Sequence, residues 1–331
     1  MSRPVAQLPR PLAKAGAFPV SLARAHGVGR YRLLRQDVMR LAKGFYCRID
    51  PPPTELEVIR ALLFTRTNTR DDLALYPVSH FSAARIWGMP LPTRNASYTQ
   101  GQPVDITYFS GSPSRRNPLL KWHKAIRYGA EPGITEPAIY RTDTVCLTSR
   151  WRTLLDLTPL LPPDYLVIIA DHLVRQPRQN LEQRSKPYAA LSDLERAARA
   201  CLSIRAKRKL LRALSLSRVG SDSPLETLLR LRLFEAGLPE PDLNLHITDD
   251  DGKPLHQPDM SWPRYRVALE YEGQHHSLPE QISRDISRAE RCRRAGWREV
   301  RIEKSMMHNR AEVAVAKVAE ALRERGWQGT C

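Results

Sequence analysis

Residues 255–272, LHQPDMSWPRYRVALEYE, decide how this chain is read. Val267, Leu269 and Tyr271 alternate with Ala268, Glu270 and Glu272. A strand over 266–272 therefore sends the first three to one side and both acids to the other. Pro263-Arg264-Tyr265 turns the chain, and a preceding strand is predicted over 255–262. Cross-strand pairing then brings Asp259, 11 residues before Glu270, beside that glutamate. Like charges on a buried strand repel, and burying them costs several kcal/mol unless a cation compensates. Carboxylate oxygens favour Mg²⁺ or Mn²⁺ over zinc, and no thiol stands close by in the sequence. A second reading stays open: an exposed hairpin face whose acids are held by Arg264, Arg266, Arg284 or Arg288.

Working outward, Ser223-Pro224-Leu225-Glu226 has the form of a helix start, with a serine cap, proline in the first turn and glutamate three after the cap. Leu225, Leu228, Leu229 and Leu233 supply its apolar stripe, and Gly237 with Pro239 ends it. A strand over 243–248 and the turn Asp250-Asp251-Gly252 lead into the second strand. Downstream, an amphipathic helix over 279–295 ends at Gly296. A strand covers 297–302, and a last helix capped by Asn309 runs to about residue 325. Such an order is buried by a mixed sheet with helices on its faces. His275 and His276 follow the strand end at Gly273. They are either a surface pair or, beside three carboxylates, proton carriers.

Upstream, residues 1–18 read as a mobile tail. Residues 19–48 read as short helices followed by an extended GFYCR piece, and 54–65 as a further helix. This pattern suits either a winged helix-turn-helix over 19–75 or a small helical bundle. Helices are predicted over 77–89, after Thr148 or Ser149, over 163–174 and over 193–215, with strands in VDITYFSG and near AIYRTDTVCLTS. A domain joint is expected at 218–222. The run IRAKRKLLRAL places Arg205, Lys207, Arg208, Lys209 and Arg212 within two helical turns. It is a solvated helical face or a phosphate-binding patch.

With 331 residues and 42% hydrophobic content, the chain has length for two domains and enough apolar residues for a sizeable core. No apolar run is long enough for a membrane span, and no leader of secretory type opens the sequence. The five cysteines, Cys47, Cys146, Cys201, Cys292 and Cys331, make no metal or disulfide spacing, so a reducing, cytoplasmic setting is expected. The formal net charge is +17, and it is uneven. Residues 1–220 hold 35 basic and 16 acidic side chains, against 17 and 19 in 221–331. A basic part joined to a near-neutral part points to a polyanion partner, DNA above all.

The ordered string SPLETLLRLRLFEAGLP, QPDMSWP, RVALEYEGQHH and SRDISRAERCRRAGWREVRI resembles a C-terminal domain related to very-short-patch repair endonucleases, in the PD-(D/E)XK nuclease superfamily. The resemblance covers 221–326 and implies a restriction-endonuclease-like mixed sheet with flanking helices, α+β overall. It implies Asp259 and Glu270 as metal ligands, joined by the Tyr271 carbonyl. Glu226 is implied as a helix-borne supporting acid, Asp285 and Arg288 as cleft residues, and His275 or His276 as the acid/base group. The superfamily's lysine position holds Glu272 here, which cannot stabilise an anion but can hold a second ion or act as a base. LAKGFYCR, SHFSAARIWGMPLP and CLTSRWRTLLDLTP resemble AbiEi-type antitoxins, which implies a winged helix-turn-helix followed by an α/β antitoxin-like region over 76–217.

Two functions follow as expectations. One is a Mg²⁺- or Mn²⁺-dependent DNA endonuclease of a toxin–antitoxin, phage-defence or repair system. The other is a non-catalytic DNA-binding antitoxin or regulator whose nuclease-like domain is structural. Either admits a cognate toxin or antitoxin as partner, and pairing of two copies.

Overall fold

A computed structural model describes residues 7–64, 76–109, 117–126, 139–141, 145–178, 182–272 and 279–329; of 64, 139–141 and 279–286 it describes the backbone alone. The chain is mixed α/β. Its first stretch runs α1 (Arg10–Ala15), β1 (Ala17–Pro19), α2 (Val20–Ala25), β2 (Val38–Ala42), β3 (Phe45–Arg48) and α3 (Glu55–Phe64). Then come α4 (His80–Ile86), α5 (Thr93–Ala96), β4 (Val104–Tyr108), β5 (Leu120–Lys124), β6 (Ile139–Arg141), β7 (Cys146–Thr148) and α6 (Arg150–Leu157). The helices α7 (Pro163–Val174), α8 (Leu191–Ala200), α9 (Ile204–Ser215) and α10 (Pro224–Glu235) follow. The last stretch holds β8 (Asp242–Leu243), β9 (Ile247–Thr248), β10 (Pro254–His256), β11 (Met260–Trp262), β12 (Val267–Glu272), α11 (Pro279–Arg294), β13 (Arg298–Glu303) and α12 (His308–Glu324).

These elements form two compact units: 1–161 with 192–211, and 162–191 with 212–331. The division expected at 218–222 therefore moves. Residues 162–191 belong with the C-terminal residues because α7 packs on α10. There Asp171 Oδ2 lies 2.8 Å from Arg230 Nη2 and accepts from Thr227 Oγ1 at 3.0 Å, all three buried. Removing either ion of a buried pair leaves an uncompensated charge, so this contact ties the helices together.

In the first unit, residues 7–18 of the predicted tail are part of the fold. Leu12 and Phe18 are wholly buried, and β1 pairs with β3 in the sheet β1-β3-β2. The helical reading of the residues just before GFYCR is overturned at Val38–Ala42. Lys43-Gly44, with Gly44 at φ 82°, turns the chain back on itself, so Val38–Ala42 is a hairpin strand. The helix expected over 193–215 is two helices, broken at Cys201-Leu202-Ser203. Helix α3 starts as predicted: Thr54 Oγ1 accepts from Glu57 N at 3.3 Å, and Glu57 Oε2 accepts from Thr54 N at 2.8 Å. Helices α4 and α6, from two of the three stretches that carry the antitoxin resemblance, pack together, with Trp87 Nε1 donating to Thr148 O at 2.7 Å. Leu154, Leu155 and Leu157 are core, as read.

Between α4 and α6 a polar network is closed inside this unit. His80 stacks on His123 at 3.7 Å between centroids, His123 Nε2 meets Asp105 Oδ1 at 2.7 Å, and Ser79 Oγ bonds His80 Nδ1 at 2.8 Å. Arg152 Nε donates to Asp156 Oδ1 at 3.0 Å, both fully buried.

In the second unit the sheet order is β13-β12-β11-β8, with β12 parallel to β13 and antiparallel to β11. One sheet face presents Met260, Trp262, Val267, Leu269, Val300 and Ile302, which pack with Leu229 and Leu233 of α10 and Ala314 and Val318 of α12. Ala268 on the other face packs with Ile247, Cys292 and Trp297. The long hairpin predicted over 243–262 is broken. Asn244 takes a left-handed conformation, and Pro258 has no N–H to give a ladder. Consequently β9 and β10 form a separate two-stranded ribbon. Asn309 does not cap α12; it stands at φ 48° within an irregular first turn.

Candidate functional site

The strand pattern of VALEYE positions the acids. Met260 pairs with Leu269 and Ser261 with Ala268, so the same register carried one step back sets Asp259 opposite Glu270. Both side chains therefore lie on the face of Ala268, away from the main core. Asp259 is half-buried, and its Oδ2 accepts the Tyr271 N–H at 2.7 Å, which fixes the carboxylate against the strand. Tyr271 itself packs its ring against the apolar core.

Glu226 comes to the same place from the first turn of α10. Ser223 Oγ accepts from Glu226 N at 3.2 Å, while Glu226 Oε2 accepts from Asp222 N at 2.8 Å. Asn244 Nδ2 reaches the same oxygen at 3.4 Å. Glu226 is thus a capping residue in its backbone bonds, yet its carboxylate is buried close enough to raise the pKa of Asp259 through its charge. Burial is the chief cause that raises the Asp259 carboxyl to about 7. Glu226 and then Glu270 add to it, while the Tyr271 N–H and Arg178 oppose it. Burial likewise raises Glu226, and Asp222 adds to the effect. The repulsion expected between Asp259 and Glu270 has its counterpart here, with Glu226 joining in place of Glu272.

Cations stand at the flanks. Arg178 donates to Asp222 and lies 3.5 Å from Asn244 Oδ1, while Arg175 Nη1 contacts Asp222 Oδ1 at 3.4 Å. Arg288 Nη1 is 3.7 Å from Glu270 Oε1, which is the arginine contact weighed for an exposed hairpin face. Glu272 is exposed and pairs with Arg301 Nη1 at 3.1 Å. His275 and His276 lie outside the described residues, as does the side chain of Asp285, whose backbone is within α11. Among the described residues no three His, Cys, Asp or Glu side chains are gathered as a ready-made metal shell. In donor chemistry, the oxygens of Asp259, Glu270 and Glu226 suit a hard dication.

Of the basic run, Arg205, Arg208 and Arg212 are exposed and recur along one stripe of α9. Lys207 and Lys209 are half-buried, and Lys209 Nζ donates to Leu161 O at 2.6 Å. Three neighbours of the acids were not legible as such: Arg178, Asn244 and His256. His256 Nε2 lies 3.0 Å from Glu270 Oε1, and its Nδ1 lies 3.2 Å from Cys292 Sγ. Had 255–262 been one strand, alternation would have turned His256 to the face of Met260, away from Glu270. The break at 257–259 reverses that parity.

Among the described residues no helix is long and apolar enough to cross a membrane. Comparison with protein-family models, with curated proteins and with solved structures gives no match for this chain.

Proposed function

We propose that the second unit is a metal-dependent phosphodiesterase acting on DNA. The observation that supports this reading is the Asp259 carboxylate held on the Tyr271 N–H, next to Glu270 along β12, with Asp259 raised to about 7 by burial and by its acidic neighbours. Asp259 and Glu270, with the Tyr271 carbonyl, would hold Mg²⁺ or Mn²⁺, and Glu226 would support them from α10. The bound ion supplies Lewis-acid stabilisation of charge on phosphate oxygens. The Tyr271 N–H orients Asp259, and the Ser223–Glu226 cap anchors the third acid. The exposed stripe of Arg205, Arg208 and Arg212 offers phosphate contacts. By resemblance, Asp285 would line the cleft and His275 or His276 would be the acid/base group.

Supercoiled plasmid, incubated with Mg²⁺ and either the native chain or Asp259→Ala, tests the reading. Nicking by the native chain that drops at least about 100-fold in the variant supports it; equal nicking by both discards it.

A second reading rests on its own observation. Glu272 faces Arg301 and Glu270 faces Arg288, so part of the acidic face is neutralised internally. That suits a DNA-binding antitoxin or regulator with a structural nuclease-like unit, working as a pair of copies or with a cognate partner. A thermal shift with Mn²⁺ that vanishes in Asp259→Ala opposes this alternative; no shift favours it.

A further inference from the structure

The acidic site has a backing that its own residues do not explain. Cys292 in α11 is buried, with 1% of its surface exposed. Its Sγ lies 3.2 Å from His256 Nδ1, and His256 Nε2 lies 3.0 Å from Glu270 Oε1. The imidazole is itself nearly enclosed, with 9% of its side chain exposed. Three groups from β10, β12 and α11 therefore form one line that ends on a proposed ligand.

Chemistry fixes the direction of that line. A carboxylate has only acceptors, so Nε2 carries the proton and donates to Glu270. Nδ1 is then the acceptor, and the thiol is the donor that meets it. Burial raises the Cys292 thiol above its ordinary value, which keeps that proton in place. Each polar atom along the line then has a partner. Both the His256 bond and the closest Arg288 contact fall on Oε1 of Glu270. The glutamate is thus gripped by one oxygen, and Oε2 is the oxygen left for a ligand.

We propose that His256, backed by Cys292, is a positioning residue that holds Glu270 by Oε1 and presents Oε2 to a divalent cation. This inference rests on the reading of Asp259 and Glu270 as metal ligands. Groups that orient a ligand from behind typically change metal affinity by about 10- to 100-fold when removed. Geometry gives a matched pair of substitutions. His256→Phe keeps the ring and loses both hydrogen bonds. His256→Gln keeps an N–H donor at the reach of Nε2.

The test is calorimetric titration of the full chain with MnCl₂, with a thermal melt of each variant. The native chain is expected to bind Mn²⁺, and Asp259→Ala to lose that binding. His256→Phe is expected to weaken it by about 10- to 100-fold, with a melt near native, and His256→Gln to recover to within about fivefold. Cys292→Ser, which keeps a donor to Nδ1, is expected within about threefold. A residue that merely fills space would not be rescued by glutamine. Native-like affinity in His256→Phe, alongside lost binding in Asp259→Ala, overturns the positioning role and leaves the ligand assignment standing. Equal affinity of the native chain and Asp259→Ala, or no binding by either, overturns the ligand assignment and this role with it. Should phenylalanine not fold, His256→Asn, too short to reach Glu270, replaces it against the glutamine variant.

Discussion

The two units bury polar groups in opposite ways. In the first, Asp156 meets Arg152, Asp105 meets His123, and His80 is stacked and hydrogen-bonded, all within a closed interior. In the second, Glu226 and Glu270 both act on Asp259, whose carboxyl is raised to about 7, chiefly by burial. The first unit sets a cation or an imidazole beside each acid, although burial still raises Asp156 to about 6. An acidic group whose charge is incompletely answered stores electrostatic free energy that an external cation can release. That contrast, more than any single contact, separates a structural cluster from a candidate site.

The largest expected effect is in the closed network. Asp156→Ala leaves the Arg152 guanidinium buried without its carboxylate. It should cost the first unit about 3–5 kcal/mol, read as faster amide exchange in peptides of α4 and α6. An unchanged exchange pattern would break the comparison from that side.

Asp259→Asn should do the reverse. It keeps an acceptor for the Tyr271 N–H while deleting a buried charge, so the metal-free second unit should gain roughly 1–3 kcal/mol at pH 8. The sign follows from linkage. The folded carboxyl, at about 7, lies above its ordinary 3.8. Folding is therefore favoured by protonation, and stability is lost as pH rises from about 4 to about 7. Chemical denaturation in chelator across that range should show a shallower slope in the variant than in the native chain, the remainder coming from Glu226 and Asp171, which burial also raises.

Smaller is the effect of His80. Burial above all, with His123, Arg152 and Lys121 adding, depresses its ring from 6.5 to about 2. The unfolded chain takes up that proton first, so stability from this ring is full above pH 6.5 and falls as pH drops below it. His80 stands at φ 49°, a conformation that asparagine tolerates well. His80→Asn should therefore flatten the acid loss of the first unit between pH 6.5 and 5, measured by exchange in β4 and α4. Asp156, raised to about 6 chiefly by burial, slopes the other way, which is why the single substitution is the informative comparison.

The smallest effect belongs to Glu272. It pairs with Arg301 in the open, both side chains 43% exposed, and such pairs contribute about 0–1 kcal/mol. Glu272→Gln should shift the melting temperature by no more than a degree or two. A large loss would mean that this acid belongs to the site more closely than its exposure indicates.

Much of the second unit was readable because its signals are local. The Ser223 cap, the Gly237 and Gly296 stops and the alternation of β12 depend on neighbours a few residues apart. The Asp259–Glu270 juxtaposition was readable as well, since a turn and a period of two suffice to place it. His256 was not, because one break at Gln257-Pro258-Asp259 inverts which face it joins. Arg178 was not, because it lies before the expected joint and reaches the acids only through the packing of α7 on α10. The closed network of His80, Asp105, His123 and Asp156 left no sequence sign either, since its members are spread over four elements.

By itself, the sequence determined the uneven charge, the helix start at Ser223, the stops at Gly237 and Gly296 and an acidic strand whose two glutamates share a face, because each follows from composition or short-range periodicity. Only the tertiary structure decided that 162–191 belongs with the C-terminal residues, that Asn244 and Pro258 split a hairpin, and that His256 stands behind Glu270. Those outcomes depend on burial and long-range packing, and no spacing along the chain encodes which distant side chains will share a low-dielectric interior.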